Sequence, residues 1–595
     1  SKMGNSTCSR CAKPNNEPSF CEEVDGSGYG GWLFPMYLVK IRDFLEMEGV
    51  PEPHHVLKQK GLLHPWQPGM FSIFISHQWL GKGHPDPKGE HTTLLREVLR
   101  KVLDGSLQIQ EDVVSNSYDR RVSLAQRVKE QLPKGYLFYD WFAIPQVTAR
   151  LPGVHEDVTK SEIARAVNSI PAYVEFANLF IALVSFTQHQ DTKEWCGYSS
   201  FFARGWCRGE LWLHMLSSDT EEDSVVMINS TEEVKFMFPY DWLQNPVSGG
   251  KFTVEADRDV VVSLCMQALE KRIRELEFSG PLRTYRFYRS HQPSMLGQNY
   301  SHSGVPDFLD TFRFSSLREA ALCQSSMNGL MCAVFCGDTT MLRLLASSTG
   351  DLNLRLHGLG QLGYFDGQTL VMAAVKSSRD PNVLATLLEL RAEVNDRSRT
   401  GLTVAMMVKS PEQLRVLQDA MADLHSSYEP FGFTPLTSAC GVPGCTTETI
   451  KALLEARCDP NPPLLGAGTA PLHQSILFSR GQISHVETVR LLLEWRADPN
   501  TPATPSGAFA AEAEAALKEE SLNGKQSSYL KRTYAILPGL TPLHAAAWIG
   551  DPEITQLLLH FRADMRASNR RGDLPDDLAK ESGSSHLLPL LTISL

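Results

Sequence analysis

A short phrase returns along the second half of the chain at a nearly fixed interval, and this periodicity narrows the possible folds more than any other feature. GQTLVMAA begins at Gly367, GLTVAMM at Gly401, GFTPLTSA at Gly432, GTAPLHQS at Gly468 and GLTPLHAAA at Gly539. The first four starts are 34, 31 and 36 residues apart, and the last interval doubles to 71. Each phrase leads into an apolar run of helical spacing that ends in a polar turn: LLELRAEVN from Leu387, LLEARCDPN from Leu453, LLEWRADPN from Leu492 and LLHFRADMR from Leu558. A unit this small cannot bury its own apolar face, so it is stable only when neighbours stack on it into a solenoid.

These phrases resemble the ankyrin repeat. In that family the Thr-Pro-Leu-His tetrapeptide opens the first helix, and Pro435, Pro471 and Pro542 fit a first helical position, where a missing N–H costs nothing. The Leu-Leu pair falls on the second helix and packs against the next repeat. NGLMCAVFCGD from Asn328 reads as a degenerate first repeat and RRGDLPDDLAK from Arg570 as a polar last one, which places an all-α ankyrin solenoid over 326–595. The doubled interval contains an insertion, 501–538, with the helix-like stretch FAAEAEAALKEE. The resemblance implies a protein partner bound through the concave face and turn tips. It also implies a structural role, not a catalytic one, for His473 and His544.

Composition excludes several classes. A net charge of -11 over 595 residues, without a Lys/Arg cluster, argues against a nucleic-acid partner. The apolar run Leu179–Val184 is far shorter than the roughly 20 residues that span a bilayer, so no membrane span is expected. Twelve scattered cysteines and no visible secretion signal suggest a reducing, cytoplasmic setting. Cys8 and Cys11 have the spacing of half a zinc site, but only Cys21 lies near them. Residues 1–30 therefore read as a flexible polar tail, and no metal site is expected.

Residues 31–250 alternate strand and helix, which predicts an α/β parallel sheet. FSIFIS from Phe71, YLFYDWFAIPQ from Tyr136, NLFIALVS from Asn178 and SVVMINS from Ser224 read as strands. TTLLREVLRKVLDG from Thr92 and ARGWCRGELWLHML from Ala203 read as helices, and Thr159 with Glu162 as a capping box opening a third. Ligands of such sheets sit beyond the C-terminal strand ends, where strand order reverses.

Four phrases stand at those places: Ser76-His77-Gln78-Trp79, Asp140 with Ile144 and Gln146, Tyr173 with Ala177, and RGWCRGEL. In this order they resemble the heterokaryon-incompatibility (HET) and TIR domain family, whose flavodoxin-like fold the resemblance implies here. The long stretch Leu103 to Lys134 departs from a compact TIR domain. In NAD-cleaving TIR domains the catalytic acid is the Glu of a W-C-x-x-E-L helix, and Glu210 occupies that position. A carboxylate beside the ribose would stabilise the oxocarbenium-like state formed as nicotinamide leaves. The resemblance therefore makes NAD a candidate substrate, with His77, Trp79, Asp140 and Trp206 as pocket residues. Packing is the competing role for each tryptophan, and capping or pairing with Arg204 or Arg208 is the competing role for Glu210. A further alternative pairs Cys207 as nucleophile with His77 as base. Without catalysis, the domain reads as a self-association module.

Between the halves, 251–280 is a well-patterned amphipathic helix with apolar positions at Val261, Leu264, Leu269, Ile273 and Leu276. Residues 281–325 show no clear period and read as a linker.

Overall fold

In the computed structural model, the described residues are 33–592 apart from 110–125, 150–155, 218–224, 238–240, 297–303, 349, 378–379, 429–431, 442–444, 478–484 and 524–528. The expected tail 1–30, with Cys8, Cys11 and Cys21, lies outside them.

The N-terminal half is built on a seven-stranded mixed sheet. In chain order its strands are β1 (Tyr37–Lys40), β2 (His64–Pro65), β3 (Ser72–His77), β4 (Tyr136–Tyr139), β5 (Leu179–Leu183), β8 (Val225–Ile228) and β9 (Val234–Phe236). A separate ribbon pairs β6 (Thr187–Gln188) with β7 (Trp195–Cys196). The spatial order is β2-β1-β4-β3-β5-β8-β9. β4, β3, β5 and β8 run parallel, while β1 and β9 pair antiparallel at the flanks. The central strands SIFISH and LFIAL are buried throughout, because helices cover both faces of a parallel sheet.

The helices Glu156–Glu175 and Gly205–Ser217 pack together on one face, and Glu90–Leu103 meets Ile41–Glu46 on the other. The expected capping box at Thr159 does not form, because the helix already includes Glu156 and so places Thr159 inside it, buried. Glu156 and Asp157 supply the acidic first turn that the helix dipole favours.

The amphipathic segment forms the helix Asp257–Ser279, which lies on Gly205–Ser217. Close approach is possible because Gly209 has no side chain: a Cβ there would stand 2.4 Å from Val261 Cγ1. The reading of 281–325 as a linker is corrected. It contains the helices Leu282–Met295, Gly304–Phe312 and Leu317–Leu322, with Tyr285, Phe287, Tyr288 and His291 buried. Its aromatic and cationic residues concealed the periodicity, since Arg286 is itself buried. Its guanidinium donates to the carbonyls of Phe312, Arg313 and Met327. Leu282–Met295 packs on Gly329–Cys336, the first helix of the array, so one apolar core runs from the sheet into the repeats.

The array has seven helix pairs among the described residues, from Gly329–Cys336 with Thr339–Ser347 to Pro575–Glu581 with Leu588–Leu591. The third pair begins with a 3-10 segment, Val404–Met407. Side chains of Asp338, Ser410, Thr446 and Asp551 cap the second helices of their pairs by accepting from backbone N–H groups. Left-handed residues, in a conformation where glycine would be unstrained, follow the second helices Pro381–Glu389, Thr447–Glu455, His485–Glu494 and Pro552–His560: Arg391, Arg457, Arg496 and Arg562, at φ 65 to 69°.

An asparagine ladder joins the repeats. Asn461 Oδ1 accepts from Asp498 N at 2.9 Å while its Nδ2 donates to Arg496 O at 2.8 Å. Asn500 makes the same pair of contacts to Asp564 N at 2.7 Å and Arg562 O at 3.2 Å. The ladder thus steps over the insertion, which is looped out as the helices Gly507–Asn523 and Tyr529–Ile536.

Candidate functional site

β3 is the point where strand order reverses, because the chain crosses from it to β4 on one side and returns to β5 on the other. Its last two residues and the one that follows β4 form a polar cluster at the C-terminal strand ends. His77 Nε2 lies 2.9 Å from Asp140 Oδ1, and Trp79 Nε1 donates to Asp140 Oδ2 at 2.8 Å. Ser76 Oγ donates to Glu210 Oε2 at 2.6 Å, bringing the helix Gly205–Ser217 onto the end of β3.

The electrostatics follow from this packing. Burial opposes charge on His77, but the charge and hydrogen bond of Asp140, reinforced by Glu210, outweigh it and raise its pKa. Burial would likewise raise Asp140. His77, the Trp79 indole and the Trp141 backbone N–H instead hold it below the ordinary carboxylate range. Glu210 has no such support. Burial pushes it up to about 7 with the help of Asp140, against the Ser76 hydrogen bond and the His77 charge. Two carboxyls in one site are thus set apart by their partners, one ionised and one poised near neutrality. This is the pattern that acid–base chemistry uses.

The sequence-derived residues are not all brought together. His77, Trp79, Asp140 and Glu210 meet, but the Trp206 indole N–H is directed to Asp257 Oδ2 at 2.9 Å, tying the helix to the next one. His77 is not a stacking platform for a ligand. It is 7% exposed and already stacked on Tyr139, centroids 4.2 Å apart and planes at 5°. Trp79 is half-buried and stands edge-on to Trp141 at 6.1 Å. Arg204 turns to Thr253, and Arg208 to the carbonyls of Phe202 and Pro246, so neither arginine pairs with Glu210.

The thiol alternative is also corrected. Cys207 is 3% exposed, its Sγ points at the His77 carbonyl, and burial raises its pKa well above the usual value. His77 is committed to Asp140. The partnership of Ser76 with Glu210 leaves no local signal in the sequence, since 134 residues separate them. Among the described residues no cluster of His, Cys, Asp or Glu could hold a metal ion, and no helix is long and apolar enough to cross a membrane. A hollow of about 240 Å³ between the helices Asp257–Ser279 and Leu282–Met295 is lined by none of the cluster residues.

In the array, His473 Nδ1 accepts from Ala470 N at 3.2 Å and its Nε2 reaches Leu540 O at 2.9 Å. His544 repeats this with Thr541 N and Asp573 O. Each imidazole therefore closes its own helix start and clamps the following repeat. Burial pushes His473 down to about 4, so it works as a neutral bridge.

Stacked helix pairs, bridging asparagines and clamping histidines define an ankyrin-repeat solenoid, here joined to an α/β domain in the N-terminal half. Consistently, the family model of the ankyrin repeat matches residues 538–570. The crystal structure of the human ASB11 ankyrin repeat domain is similar at 21% identity, over 45% of this chain and 98% of that one, with a TM-score of 0.31. A search of curated proteins finds no match.

Proposed function

We propose that this chain is a protein-binding scaffold whose ankyrin array selects a partner and couples it to a TIR/HET-like effector domain in a cytoplasmic setting. The supporting observation is the array itself: seven stacked pairs present a long surface with no catalytic constellation among their described residues. Large apolar side chains are left on the ends of second helices, Met421 84% exposed and Trp495 39%, which is where a partner would gain most from contact. The full chain should capture a saturable protein partner. Met421→Glu with Trp495→Glu should weaken capture about tenfold, equivalent to about 1.4 kcal/mol. Capture that ignores both changes would count against this reading.

A second reading, NAD glycohydrolase activity through Glu210, is favoured by one observation: a half-buried carboxyl with a pKa of about 7 at the strand-order reversal. The order of the parallel strands, β4-β3-β5-β8, is also that of a flavodoxin-like doubly wound sheet. Nicotinamide release from NAD by the full chain at high concentration, which permits self-association, tests it. Glu210→Ala should lower turnover at least about a hundredfold. Absence of turnover in the wild type would leave the domain as an association module.

A further inference from the structure

The two ends of the chain meet. The turn between β8 and β9 lies against the last repeats: Asn229 Nδ2 donates to Ile549 O at 3.5 Å, and a Cβ on Gly583 would stand 3.4 Å from Thr231 Oγ1. At this contact Arg532, on the inserted helix Tyr529–Ile536, is only 5% exposed. Its guanidinium lies 5.7 Å from the centroid of Trp548, on the array helix Pro542–Ile549. One terminal nitrogen lies 3.4 Å from Glu232 Oε2 and 3.4 Å from the Glu232 carbonyl oxygen.

This pairing is incomplete. Lys101 Nζ holds the other carboxylate oxygen of Glu232 at 2.5 Å, while Arg532 Nε is buried without a hydrogen-bond partner. Asn229 Oδ1, in the same turn, is also buried and unpaired. A guanidinium fork binds a carboxylate best through two parallel hydrogen bonds, and a buried donor left over is costly. Glu232 cannot supply both bonds while Lys101 draws it away.

We propose that Arg532, backed by Trp548, is a carboxylate-binding site of the array, filled within the chain by Glu232 and taken by an acidic side chain of the protein partner. The proposal rests on the protein-binding reading above. A partner carboxylate that engages the fork with both oxygens completes the hydrogen bonding that Glu232 leaves unfinished, and displaces the β8–β9 turn. The α/β domain then stays tethered through Asp257–Ser279 and Leu282–Met295 but is released at its other edge. A second contact carries this release toward the strand-end cluster. Trp195 of β7 lies 5.7 Å from His586 of the last repeat. The β6–β7 turn also holds the loop after Trp79, through Lys82 N to Asp191 at 2.8 Å and Gln190 N to Leu80 O at 2.6 Å.

The test uses the full chain and a labelled synthetic peptide of residues 228–236, which carries the same acidic turn. Glu232→Gln weakens the internal occupant, so the peptide should bind about tenfold tighter than to wild type. Amides of 229–233 should exchange about tenfold faster in that variant. Arg532→Ala and the fork-less Arg532→Lys should both lose the peptide, with Lys guarding against a simple folding defect. Lys101→Ala should weaken it, by freeing Glu232 to fill the site. Equal affinity for wild type and Glu232→Gln, or affinity kept in Arg532→Lys, overturns the proposal. Partner capture that depends on Met421 and Trp495 but ignores Arg532 overturns this site alone. Peptide binding at Arg532 without any captured partner overturns the scaffold reading instead.

Discussion

Gly432→Ala is expected to destabilise the array by about 2–5 kcal/mol. Gly432 has a φ of +75°, and a Cβ there would stand 1.8 Å from the Leu465 carbonyl oxygen. The left-handed conformation alone costs a non-glycine residue about 1–2 kcal/mol. The overlap adds about 1–3 kcal/mol or more, because a backbone carbonyl cannot rotate away as a side chain can. Leu465 O is moreover engaged, accepting from Gly468 N at 2.8 Å. The cause is architectural: each phrase-opening glycine lies where the turn of the following repeat passes, and Gly468 repeats the relation with Thr504 O at 2.2 Å. Thermal unfolding of the full chain followed by circular dichroism checks this. Gly572→Ala separates the two contributions, since Gly572 has φ +91° and no heavy atom near its Cβ position. It should cost only the conformational part. Equal losses for the two variants would refute the packing argument.

Glu210→Gln is expected to stabilise the α/β domain in a pH-dependent way. The folded-state pKa is raised from 4.5 to about 7, so the folded chain holds a proton that the unfolded chain has released. The contribution of Glu210 is fully present below about pH 4.5 and is lost as pH rises through 7. There it reaches a penalty of about 3 kcal/mol, taking roughly 1.4 kcal/mol per tenfold change in proton affinity. Glutamine does not titrate and keeps a polar partner for Ser76. Urea unfolding followed by tryptophan fluorescence should give a variant about 2–3 kcal/mol more stable than wild type at pH 8. The difference should close toward pH 4.5. A pH-independent difference would mean that Glu210 is not the carboxyl poised near neutrality. A gain in stability on removing a titratable carboxyl is what a site maintained for chemistry or binding predicts.

The array was readable in advance because its determinants are local and recur: the glycine, the proline at a first helical position, and the Leu-Leu pair all fall within one repeat. The polar strand-end cluster was partly readable, because short parallel strands place their exit residues at one rim. His77, Trp79, Asp140 and Glu210 duly meet there. The place of Trp206 was less readable, because helical spacing from Glu210 does not reveal which neighbouring helix takes its indole N–H, and Asp257 does. The segment 281–325 was misread because buried Arg286 and His291 look like surface residues in a one-dimensional pattern.

Sequence by itself determined the repeat unit and its recurrence, and it located the strand exits that carry the polar residues. The tertiary structure alone decided which side chains face one another across long separations: Ser76 with Glu210, 134 residues apart, and the Glu232 carbonyl with Arg532, 300 apart. The physical reason is that periodicity and turn chemistry act over a few residues, whereas a buried charge is fixed by whichever partner the completed packing delivers. In this chain that packing poises Glu210 near neutrality and brings the acidic turn of the sheet against the far end of its own array.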